Sequence, residues 1–277
     1  MNRLSTEKRA KIIGCLVEGM SIRATSRLLE ASTNTIDKLL GDLGEACSAY
    51  MNENLVDLPC RRIECDEIWS FVYAKAKNVP AELANEPGVG DVWTWTAIDA
   101  ETKLVPSYYV GNRSAHDGYA FMTDLAGRLA NRVQLTTDGH RAYLGAVEGA
   151  FGSDIDYAML VKIYGHDKEE KRYSPAECIG TEIVHVSGDP DPDRISTSYV
   201  ERQNLTMRMG MRRFTRLTNA FSKKIENHAA SVALHFMHYN FARVHKSLKN
   251  PYPRTPAMAA GVANHVWTLA EIAGLLD

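Results

Sequence analysis

Apolar residues recur at helical spacing over the first forty positions and then change rhythm. Ile12, Ile13, Leu16 and Val17 mark one face of a first helix, which Gly19 ends. Ser21 precedes a second short helix containing Ile22, Ala24, Thr25, Leu28 and Leu29. The turn Glu30–Ala31–Ser32 leads to a third, Thr33–Leu40, with a helix tail and linker reaching Pro59. From Arg61 to Ala74 isoleucine, valine and aromatics dominate, which predicts a strand. Asp91–Ala100 and Lys103–Val110 read as two further strands, joined at Glu101–Thr102 as a hairpin.

A helix over Ala115–Ala130, a strand over Arg132–Thr137, a helix over Arg141–Phe151 and a strand over Asp156–Ile163 follow. An irregular insert separates these from Ser196–Arg216, where Val200, Met207, Met211 and Phe214 share a helical face and Ser198 sits at the N-cap. A carboxyl-terminal helix over Ile225–Leu248 packs on the core, and one or two short helices follow Pro256. The succession predicts an α/β protein with a mixed sheet. An all-α segment (1–50) precedes the sheet region (61–220), and a helical extension (221–277) follows it.

Composition narrows this picture little. The 277 residues are 45% hydrophobic and 24% charged, which is ordinary for a globular chain. No apolar run approaches a membrane span, and the start lacks the apolar core of a signal peptide, so a cytoplasmic protein is expected. Five cysteines without a CxxC pair support neither a disulfide framework nor a zinc ribbon. Charge changes the picture more. Residues 151–201 carry eleven acids against five bases, whereas 202–256 carry eleven bases against the single acid Glu226. Such a block suggests a polyanion-binding surface; a solvated basic face is the plain alternative.

The chemistry-bearing residues are dispersed. Two short helices after a leading helix have the layout of a helix-turn-helix, whose second helix would present Thr33, Asn34, Thr35 and Lys38 to base edges and phosphates. A small three-helix bundle without a partner fits the same spacing equally well. Asp66 interrupts an apolar strand, which is costly for a buried, unpartnered carboxylate, although alternation also permits a solvent-facing acid. Glu67 falls on the opposite face, so one of the two acids is expected to face a site and the other not. Asp138 ends its strand, where ligand chemistry gathers in such sheets, although Asp-Gly usually marks a turn. His140 beside it is read either as orienting a phosphate or as a plain turn residue. Glu201 stands at the head of a stretch holding Arg202, Arg208, Arg212, Arg213, Arg216, Lys223 and Lys224 with no acid until Lys224.

Together, the strings CDEIWSFVYAK, DVWTWTAIDA, RVQLTTDGH, DYAMLVKIYG, STSYVERQN and RRFTRLTNAFSKK resemble transposases of the insertion-sequence-one family. YNFARVHKSL is similar to the ending of related insertion-sequence enzymes, and the resemblance runs over nearly the whole chain. It implies a ribonuclease H-like core of the DDE type, with the acidic triad on Asp66, Asp138 and Glu201 and the phosphate-contacting base on Arg208. It further implies two Mg²⁺ (or Mn²⁺) ions on those carboxylates, Arg212, Arg213 and Arg216 beside them on the DNA backbone, and a homo-oligomer when two DNA ends are paired. The activity implied is end cleavage and strand transfer in DNA transposition. A metal-dependent nuclease that cuts without joining, or a helix-turn-helix regulator with an inactive catalytic domain, are the alternatives.

Overall fold

The computed structural model describes residues 4–84, 86–165, 177–215 and 219–277. Three helices open the chain: α1 (Thr6–Val17), α2 (Ile22–Leu29) and α3 (Thr33–Asn54). A serine caps each one, because its hydroxyl satisfies an otherwise orphaned first-turn amide. Ser5 accepts from Lys8 N, Ser21 from Ala24 N and Ser32 from Thr35 N. The tight turn between α2 and α3 needs a left-handed residue, and Glu30 supplies it at φ 49°. The third helix is 22 residues long and runs past residue 50.

A six-stranded mixed sheet follows, in the order β3-β2-β1-β4-β5-β6. β1 (Arg62–Val72) pairs antiparallel with β2 (Gly90–Asp99), and β2 with β3 (Tyr108–Gly111). β1 also pairs in parallel with β4 (Gln134–Thr137), which pairs in parallel with β5 (Asp156–Gly165). The molecule is therefore mixed α/β, consistent with a ribonuclease H-like core. Helices α4 (Ala115–Arg128) and α5 (Ala142–Phe151) contribute Phe121 and Tyr143, which pack against Trp95 of β2. The other face of β1 meets α6 (Ser198–Gly210) through Glu64 and Asp66, and α7 (Ile225–Met237) through Ser70.

The pattern overstated three elements and missed one. Only Tyr108–Gly111 of the run from Lys103 pairs as a strand. Asn240 clasps the Val105 backbone instead, accepting from its N at 3.0 Å and donating to its O at 2.9 Å. Tyr239 donates to Lys103 O at 3.0 Å, so this pair anchors the hairpin. α6 stops at Gly210, with Met211 extended and Phe214 in a separate 3-10 turn, yet Val200, Met207, Met211 and Phe214 are all buried as expected. Its N-cap is Thr197, one residue before Ser198. The regular helix of α7 gives way to a π turn over His238–Ala242 rather than continuing to Leu248. The expected irregular insert contains β6 (Glu177–Ser187), antiparallel to β5 at the sheet edge. Half-exposed Ile183, Val184 and Val186 and interspersed Gly180, Glu182 and His185 blur its alternation.

One apolar core runs from Ile12 to Ala273. α3 crosses α7 so closely that a Cβ on Gly44 would lie 2.4 Å from Ala230 Cα. After α8 (Pro256–Ala259), α9 (Leu269–Gly274) lies on α1, where buried Arg9 donates to Ala273 O at 3.0 Å and to Asp277 Oδ1 at 2.7 Å. Among the described residues no helix is long and apolar enough to cross a membrane.

Candidate active site

The acids gather where β4 ends. The β1–β4 ladder closes at Cys65↔Thr137, so Asp138 is the first residue beyond it and Asp66 the next on β1. Past that point, among the described residues, β1 has no paired neighbour on the β4 side until Val72, where Ser222 bridges it in parallel. Side chains from both of its faces can therefore turn toward Asp138. Asp66, Glu67 and Asp138 each offer a carboxylate oxygen within 4.8 Å of the others. The expectation that either Asp66 or Glu67 faces away from the site is thus corrected. The Asp138–Gly139 turn is tight, since a Cβ on Gly139 would stand 3.1 Å from Val161 Cγ2. Asp138 Oδ1 accepts from His140 N at 2.9 Å.

Crowding and burial shape the charges. Asp66 is pushed up to about 7, first by burial and then by the Asp138 carboxylate, with Glu201 adding to the rise. Glu67 is pushed up to about 8 by burial and then by Asp138, against the pull of Arg113. Arg113, just before α4, donates from Nε to Glu67 Oε2 at 3.2 Å, and its Nη2 stands 3.7 Å from Asp138 Oδ2. Among the described residues Asn204 Oδ1 and His140 Nε2 are buried without a hydrogen-bond partner, and the Tyr143 hydroxyl faces Glu67 and pulls its carboxyl down. The His140 ring lies against Trp95 and Tyr143, and burial lowers its proton affinity.

Helix α6 is fastened to β1 at two points. The Glu64 carboxylate accepts from Tyr199 N at 2.7 Å and Val200 N at 3.1 Å, replacing the absent side-chain cap. One turn on, Asn204 donates to Asp66 Oδ2 at 2.8 Å. Glu201 therefore faces the same region, but it lies outside the 4.8 Å group. Both of its oxygens meet Lys162 Nζ of β5 at 2.5 Å, and Thr197 Oγ1 donates to it at 2.5 Å. The sheet thus brings Asp66 and Asp138 together, with Glu201 beside them on an ion pair.

The basic segment divides. Arg208 and Arg212 are exposed. Arg213 is half-buried, and its guanidinium donates inward to Ser222. Arg216 lies outside the described residues. At the start of α3, Asn34 and Lys38 are exposed, Thr33 and Thr35 half-buried. Thr35 Oγ1 lies 2.7 Å from Ser32 Oγ, and Lys38 pairs with Asp42 at 2.8 Å. Thr33 and Lys38 nonetheless share one 920 Å³ cleft with Arg23, Arg212, Lys223 and Lys224.

Sequence reasoning missed Arg113 and Asn204, and offered Glu67 only as an alternative to Asp66. The adjacent Asp66–Glu67 pair was visible, but the register that lets both reach Asp138 was not. No family model and no curated protein matches the chain. Among solved structures it is similar to the one titled "Crystal structure of the Mos1 Strand Transfer Complex", over 86% of this chain and 78% of that one, at 10% identity and a TM-score of 0.26, a likeness too slight to build on.

Proposed function

We propose that this protein is a DNA transposase of the DDE type, cutting element ends and joining them to target DNA. The observation that carries the reading is the meeting of Asp66 and Asp138, 72 positions apart, at the end of a parallel strand pair, with the Glu201 helix bolted to the same strand. The motif strings around all three acids support transposition over other phosphodiester chemistry.

The donors suit hard divalent ions. They are carboxylate oxygens, and Glu67 turns only Oε2 to Arg113, which leaves Oε1 buried beside the cluster. Asp66, Asp138 and Glu201 would hold two Mg²⁺ or Mn²⁺ ions, with Glu67 behind them. Such ions activate an attacking water or 3′-hydroxyl and stabilise the leaving oxygen. The chain's own groups do the rest. Asn204 holds Asp66 in place. Lys162 keeps Glu201 at the edge of the cluster, so metal binding there competes with that ion pair. Arg208 and Arg212 meet the DNA backbone, and Thr33, Asn34, Thr35 and Lys38 read the element end; the two sets reach a common cleft through Lys38 and Arg212.

The test is Mg²⁺-dependent joining of duplexes that carry the sequences flanking the coding frame. Asp138→Asn is expected to lower joining by about 10³-fold or more while DNA retention survives. Joining at the wild-type level by that variant removes the site assignment. Wild-type products that are nicked and never joined favour a nuclease instead.

A further inference from the structure

The sheet face that carries Glu67 continues away from the acids as a strip of half-exposed aromatics. Trp69 and Phe71 follow Glu67 at alternate positions of β1, and Trp93 of β2 pairs directly with Trp69. The Trp69 and Phe71 rings lie 5.8 Å apart, and Phe221 extends the strip 5.2 Å beyond Phe71. Rings of this size are ordinarily covered. Here Trp69 and Trp93 instead line a 560 Å³ groove with Lys75, Lys77 and Asp91. Asp91 is committed to the groove's rim, accepting from Ala76 N at 2.9 Å.

Cations flank the strip. Lys75 Nζ sits 5.7 Å from the Trp69 ring and 5.9 Å from Phe71. Arg113 Cζ lies 4.8 Å over Trp93 while the same guanidinium bonds Glu67, so one side chain joins the aromatic strip to the acidic cluster. Trp69 is two residues from Glu67, about 7 Å along the strand. Flat, partly exposed aromatic faces interleaved with mobile-tipped cations are the chemistry that receives unpaired bases on a charged backbone.

We infer that Trp69 and Trp93 form a stacking platform for unpaired DNA bases next to the acids Asp66 and Asp138. This rests on the proposed DNA chemistry and adds to it the form of the substrate. The strand is taken single and splayed at the site, with its bases on the tryptophans and its backbone on Lys75, Lys77 and Arg113. Duplex DNA hides the faces that this platform reads.

Fluorescence anisotropy with two labelled probes tests it: a ten-nucleotide thymidine oligomer and an abasic backbone of equal length and charge, both in EDTA. The wild-type chain is expected to prefer the thymidine oligomer by roughly 5–150-fold. Trp69→Ala with Trp93→Ala should erase that preference and leave the abasic affinity unchanged. Trp69→Phe, which keeps a ring and the fold, should retain most of it. Equal wild-type affinity for the two probes overturns the platform, as does full preference in the double variant. Because no metal is present, base preference in a chain that never joins DNA upholds the platform and removes the proposed transposition.

Discussion

Two histidines are built to stay neutral. His228 is fully buried, with Nε2 3.1 Å from Ser70 Oγ and Nδ1 3.3 Å from Ser222 Oγ. Burial, then Arg213, brings it down to about 3, and burial first does the same for His235. Their unfolded counterparts protonate near 6.5. Below that pH the unfolded chain binds two protons that the native one refuses. Their contribution to stability is therefore whole above about pH 6.5 and is lost as pH drops toward 3, whereas the raised carboxyls of Asp66 and Glu67 work in the opposite direction. Because the acids are common to both chains, the stability gap between wild type and H228Q/H235Q in urea unfolding should shift by about 4 kcal/mol between pH 7 and pH 5, and an unchanged gap would refute the neutral pair. At the same scale, the acids show what a sequence can disclose. The surrounding motifs mark Asp66, Asp138 and Glu201, but Glu67 joins them only because the β1–β4 ladder stops at Cys65↔Thr137. Strand register is a property of two distant segments and leaves no local trace.

Elements were legible where one face is buried over many residues. β1, β2, α4 and α5 fall within two residues of the expected spans because their periodicities are long and clean. The extended run after Lys103 misled because the side chain of Asn240, in the π turn after α7, takes the Val105 backbone bonds a strand partner would have had. Helix crossings are likewise silent in sequence, and α3 against α7 is the clearest case. Gly44 has no room for a Cβ, since backbone of Ala230 stands 2.4 Å away, whereas a Cβ on Gly41 meets nothing within 4 Å. Both substitutions by alanine gain helix propensity. Gly44→Ala is nonetheless expected to destabilise by about 1–3 kcal/mol, and Gly41→Ala to stabilise by about 0.5–1 kcal/mol. Urea midpoints of the two variants check the contrast, and equal midpoints would refute the tight crossing.

At the scale of the molecule, the near-neutral total charge of −2 conceals the cleft where Arg23, Lys38, Arg212, Lys223 and Lys224 outnumber Asp37, Asp42 and Glu45. Lys223 and Lys224 are exposed there. If they meet DNA phosphates, Lys223→Ala with Lys224→Ala should weaken duplex binding on all sequences and reduce the slope of log K against log salt by about 2. An unchanged slope would place the DNA elsewhere.

The closure of α1 by α9 has a consequence in time. α1 ends at Val17 and α9 begins at Leu269, so 251 residues separate the two. A ribosome adding about 5–20 residues per second needs roughly 10–50 s to cover that interval. Throughout it, the bonds from Arg9 to Ala273 and Asp277 have no partners to form with. For those seconds α1 is made but lacks the helix that takes the Arg9 guanidinium and packs the Leu269 side chain beside Gly14.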